Sequence, residues 1–127
     1  MGNRNGPKPA HYGLEVWQEA MRLAREIYRA SAHFPADERF GLTAQIRRAA
    51  VSVASNIAEG AGRGSKAEYS RFLLIARGSL MELDTQLWLA RDLFHFDDSE
   101  FRPSLERLIA KLNTLIRSKQ RVAEAQS

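Results

Sequence analysis

The chain has 127 residues, an apolar share of 44%, a formal charge of +4 and no cysteine. That length supports one domain around one core, and the missing cysteine excludes disulfides, thiolate metal sites and cysteine nucleophiles, as suits a reducing cytoplasm. The opening "MGNRNGPKPAHY" is polar, and the longest mid-chain apolar run, Leu73-Leu74-Ile75-Ala76, is far shorter than a bilayer span; a cytoplasmic protein without a membrane anchor is expected.

Met1 to Gly13 reads as a mobile tail. From Leu14 the pattern turns helical: Leu14, Trp17, Met21, Ala24, Ile27 and Tyr28 recur at three- and four-residue steps. This helix ends before Phe34-Pro35, because proline disfavours helical geometry in the residue ahead of it. A second helix, after a break near Gly41, carries Leu42, Ile46, Ala49, Val53 and Ile57 inward. The third opens on a capping box, Ser65-x-x-Glu68, and continues as one stripe from Tyr69 through Leu80 and Leu87 to Phe94. The fourth starts near Asp97 to Glu100 and carries Phe101, Leu105, Leu108, Leu112 and Ile116, with Pro103 tolerated in its first turn. No stretch alternates with period two. The expectation is an all-α, antiparallel up-down-up-down four-helix bundle over residues 14–122, with a frayed end at 123–127.

The third helix has more apolar surface than one bundle needs. Leu74, Met81 and Trp88 repeat every seven residues beside the core stripe, with Gly78 and Thr85 between them. Either this sector widens the contact with a neighbouring helix of the same chain, or it is a subunit interface. The second reading makes Leu74, Gly78, Met81 and Trp88 candidate interface residues of a homo-oligomer.

The stretch "SNIAEGAGRGSKAEYSRF" holds glycines at 60, 62 and 64, followed by Ser65-Lys66. A phosphate-binding P-loop requires a preceding strand and G-x-x-x-x-G-K-[ST]. Here a helix precedes, serine stands where the second glycine belongs, and Ala67 follows the lysine. The stretch reads as a turn, with Gly60 or Gly62 capping the second helix in a left-handed conformation. His11, His33 and His95 have no ligand spacing, and Asp92-x-x-His95 is at most half of a di-iron motif. No nucleophile elbow surrounds any serine. No metal, cofactor or catalytic residue is expected.

Polar residues flank the apolar stripes. Gln45, Arg48, Ser52, Asn56 and Glu59 on the second helix, with Ser79, Glu82 and Gln86 on the third, suggest an inter-helix network in which Arg48 pairs with Glu82. Register or assembly is one role for it, direct ligand binding another. The topology gathers Arg4, Lys8, Arg63, Lys66, Arg71, Arg117, Lys119 and Arg121 at one pole, and Asp37, Glu38, Asp92, Asp97, Asp98 and Glu100 at the other. Lys66 and Arg71 defy the helix-dipole preference, since both lie near the start of the third helix. A solvated basic face explains this pole, and so does contact with an RNA or DNA backbone.

The segments "LEVWQEAMRLAREIY", "FPADERFGLTAQIRRAAVSVASNIAEGAGRGS" and "EYSRFLLIARGSLMELDTQLWLA" resemble the small proteins encoded in intervening sequences of bacterial large-subunit rRNA genes. They also resemble the accessory variability determinant of diversity-generating retroelements. The resemblance runs from about Leu14 to Phe94 and departs at Ala54, where such proteins often carry proline. It implies an antiparallel four-helix subunit, a homo-pentameric ring, a basic surface and no catalytic centre. For the retroelement relatives it implies nucleic-acid association and a reverse transcriptase as protein partner. Arg47, Arg48, Asn56, Glu59, Gly60, Arg63, Gly78, Ser79 and Glu82 fall on the family pattern. The function expected is a non-enzymatic oligomeric module that binds nucleic-acid backbone, the alternative being a protein-interaction scaffold without nucleic acid.

Overall fold

The computed structural model describes residues 8–126, and among them there are four α-helices and no strand. These are α1 (Glu15–Ser31), α2 (Leu42–Ala61), α3 (Lys66–Phe94) and α4 (Arg102–Gln126). α1 packs on α2, α2 on α3, α3 on α4 and α4 back on α1, while the backbones of α1 and α3 stay apart, as diagonal partners do. Short connections and this cyclic order make the expected antiparallel bundle. Its axis is filled by Ile27, Ile46, Ile57, Leu73, Leu80, Leu83, Leu87, Leu105, Leu108 and Leu112, each under 2% exposed. Burial of each such side chain is worth about 1.5–3 kcal/mol.

The aromatic residues close the two ends. At one end, Phe34 from the α1–α2 connection meets Phe94 and Phe96 edge-on at 4.8 and 5.0 Å, and Phe96 stacks on Phe101 at 6.1 Å. Phe34 and Phe101 are buried there. Beside them, buried Asp98 accepts from Arg102, which also bonds Asp84 of α3, and Arg91 lies 3.7 Å from Asp98. At the other end, residues expected to form a mobile tail are partly folded. Ala10–Gly13 makes a 3₁₀ turn, and the His11 and Tyr12 rings lie 4.8 and 5.6 Å from Trp17. Residues 1–7, with Arg4, and Ser127 lie outside the described residues. The end expected to fray is helical through Gln126.

The turn between α2 and α3 corrects the expected cap. Gly62 closes α2 with ordinary right-handed angles, φ −89° and ψ −2°, and the left-handed residue is Gly64, at φ 82°. Gly60 serves proximity instead of chirality. A Cβ there would sit 2.8 Å from the Phe72 Cβ and 3.2 Å from the Tyr69 carbonyl oxygen, so its absence lets α2 and α3 approach. Ser65 caps α3 as expected, its hydroxyl accepting from the Glu68 N–H at 3.1 Å. Glu68 does not reach back to complete the box; its carboxylate accepts from Arg71. α2 runs unbroken past Ala54.

Candidate nucleic-acid interface and the open face of α3

The end of the bundle where α2 finishes, α3 begins and α4 finishes carries the expected cations, and their neighbours divide them into two groups. Arg63 and Arg71 are held. Arg63 pairs with Glu59 at 3.0 Å and Arg71 with Glu68 at 3.1 Å, and both guanidiniums lie over Phe72, 4.8 and 4.5 Å from its centroid. These i,i+3 and i,i+4 pairs neutralise much of the charge the two arginines bring.

Lys66 and Lys119 make no ion pair with an acid among the described residues. The Lys119 ammonium lies 5.1 Å from the centre of the Tyr69 ring, near enough to Lys66 to be perturbed by it. Burial first, and the neighbouring Lys66 charge second, hold Lys119 below the ordinary lysine range. Tyr69 itself is buried, its hydroxyl has no hydrogen-bond partner among the described residues, and burial raises its pKa. Arg117 donates to the Thr114 hydroxyl at 3.5 Å, and both Arg117 and Arg121 are exposed. The free amides of the first turn of α3 add partial positive charge to the same end.

The expected polar network forms only in part. Ser52 and Ser79 join α2 to α3 through their hydroxyls at 2.9 Å, and the Asn56 amide donates to the Ser52 carbonyl and hydroxyl of its own helix. Arg48 and Glu82 line one crevice of about 380 Å³ with Gln45 and Gln86, but both are exposed and they make no ion pair. The buried Gln86 side-chain oxygen has no partner among the described residues. Arg47 belongs elsewhere: it donates to the Ser31 hydroxyl and the Tyr28 carbonyl and lies over the Tyr28 ring at 4.7 Å, tying α2 to α1.

The outer face of α3 stays uncovered. Leu74 is 36%, Met81 42% and Trp88 47% exposed, and a Cβ at Gly78 would meet nothing within 4 Å. Within this chain, therefore, the sector does not widen a helix–helix contact. Ile75, Leu89 and Leu93, absent from the sequence expectation, extend the same face; apolar residues at nearly every angle of α3 were the available signal. Trp88 lies at one edge of the face, with the Arg91 and Arg102 guanidiniums over its ring at 4.9 and 5.2 Å.

Among the described residues no group of three or more histidines and acids is placed to hold a metal ion. No described helix is long and apolar enough to cross a membrane. No curated protein matches the chain. The family model described as 23S rRNA-intervening sequence protein matches residues 13–118. With the match spanning most of its length, the chain belongs to the 23S rRNA-intervening sequence protein family.

Proposed function

We propose that this small helical protein is a non-catalytic module that associates with itself through the outer face of α3 and binds the phosphate backbone of nucleic acid with the end bearing Lys66 and Lys119. The observation that carries the backbone reading is the Lys119 ammonium held 5.1 Å from the Tyr69 ring, at the same end as exposed Lys66, Arg117 and Arg121. Arg117 and Arg121 of α4 add positive charge to the same end. Contacts of this kind position a nucleic acid without reading its sequence.

Fluorescence anisotropy with labelled RNA tests the proposal. Four phosphate contacts give a slope of log affinity against log salt of about −3, and each lysine reversed lowers the slope by about one. Lys66→Glu with Lys119→Glu abolishes binding at moderate salt, whereas reversal at the acidic end, as in Arg39→Glu, leaves it unchanged. Salt-insensitive binding, or no binding at low ionic strength, refutes the reading and leaves a scaffold that engages only protein.

A further inference from the structure

We propose that the polar crevice between α2 and α3 binds a small zwitterion, a free α-amino acid with a short polar side chain. This site requires neither the self-association nor the backbone binding proposed above. The antiparallel register stacks three levels along the crevice: Ser52 opposite Ser79, Arg48 opposite Glu82, and Gln45 opposite Gln86. The hydroxyl contact at 2.9 Å closes the first level. The other two border a space of about 380 Å³. Burial divides the lining into a floor and a rim. Ala49, Ser79 and Gln86 are buried and form the floor, while Gln45, Arg48 and Glu82 stand exposed around it.

Two features of this lining describe the ligand. Gln86 is only 8% exposed, and its side-chain oxygen is buried without a hydrogen-bond partner among the described residues. A buried acceptor without a donor is costly, and folded proteins keep few of them; a ligand that brings an N–H group to the floor removes that cost. Above the floor, Arg48 and Glu82 stand on opposite helices and make no ion pair with any described residue. Opposite charges held apart at one level suit a molecule that carries both signs close together. Its carboxylate meets the Arg48 guanidinium, whose planar fork takes two oxygens at once. Its ammonium meets the Glu82 carboxylate and donates also to the Gln86 oxygen. An α-amino acid carries both groups on one carbon, and its ammonium has protons for both acceptors.

Other ligand classes fit less well. An inorganic anion is repelled by Glu82 and gives Gln86 no donor, while a metal cation is repelled by Arg48. Among the described residues, Ala49 is the only apolar one that lines the crevice, and no aromatic ring borders it. A nucleobase or a large apolar side chain therefore has no surface to lie on. Ser52 and Gln45 offer a hydroxyl and an amide to a polar side chain instead.

Isothermal titration calorimetry of the full chain with L-serine and L-glutamine tests the site. Two truncated probes accompany them: L-serinamide, which has no carboxylate, and propionate, which has no ammonium. At least one of the two amino acids is expected to bind, and each truncated probe to bind about 10-fold more weakly or worse, as the loss of one charge-assisted hydrogen bond implies. Arg48→Met and Glu82→Gln, both at exposed positions, are expected to weaken the amino acid by a similar factor with helicity unchanged by circular dichroism. Thermal unfolding supplies a second measurement. The bound amino acid raises the melting temperature of the wild type, and Gln86→Leu, which removes the buried acceptor, loses that rise. No binding of either amino acid at millimolar concentration overturns the proposal, as does equal binding of serinamide or propionate. A melting temperature that the amino acid raises as much in Gln86→Leu as in the wild type overturns it as well.

Discussion

Two glycines of this chain separate conformational need from packing need. Alanine is worth about 1 kcal/mol more than glycine in a helix interior, a gain open in full at Gly78 and only in part at Gly60, next to the last residue of α2. At Gly60 the added methyl would strike the Phe72 Cβ at 2.8 Å and a backbone oxygen at 3.2 Å, and overpacking of that kind costs about 1–3 kcal/mol. Gly60→Ala is therefore expected to lower the midpoint of urea unfolding. Gly78 faces open space, so Gly78→Ala is expected to raise monomer stability by about 0.5–1 kcal/mol while weakening self-association, because a gap in the outer face of α3 is filled. Opposite shifts for one chemical change test both assignments in a single experiment. The sequence suggests a cap at Gly60 and a small residue in an apolar sector at Gly78; only the register of α2 against α3 reveals which one a neighbour approaches.

At the level of elements, the helices were legible because each carries an uninterrupted apolar stripe at helical spacing, bounded by Phe34-Pro35, the glycine-rich turn or Pro103. Partner choice across helices was not. Arg47 and Arg48 are adjacent in sequence, yet one is drawn to α1 by Ser31 and Tyr28, while the other faces the α2–α3 crevice without a pair. The rotation of α2 decides this, and composition does not report it. The α3–α4 connection shows what such choices are worth. Asp98 is 2% exposed and receives Arg102, which α3 also engages through Asp84. Asp98→Ala leaves a largely buried guanidinium short of a partner, and breaking such a pair costs about 3–5 kcal/mol; the Asp84 contact should hold the loss near the lower figure. A loss below about 1 kcal/mol in chemical denaturation would show the contact to be no better than an exposed pair.

For the whole molecule, the lysine end ties stability to pH and, under the proposed function, binding to assembly. Lys119 has a lower pKa folded than unfolded, so between those two values the unfolded chain binds more protons and stability rises with pH. Lys119→Met removes that alkaline rise and is expected to leave the protein at least as stable at neutral pH, although RNA binding falls. That pairing of outcomes is what the trade-off between stability and function predicts for a binding residue. Assembly should then multiply the effect. A monomer offers one lysine end, whereas copies joined through α3 offer several held at fixed separation, so a long RNA that bridges them gains an effective concentration a short one cannot. Affinity is expected to rise steeply with RNA length for the wild type, by 10-fold or more once two ends are spanned, given the roughly 10²–10⁴ range of such gains. The double variant Met81→Glu with Leu89→Glu, which charges the outer face of α3, should bind short RNA as the wild type does and show almost no dependence on length. Anisotropy titrations with an RNA length series check this at one salt concentration. Equal length dependence in both proteins would mean that the lysine ends act singly, and that self-association through α3 serves something other than nucleic-acid binding.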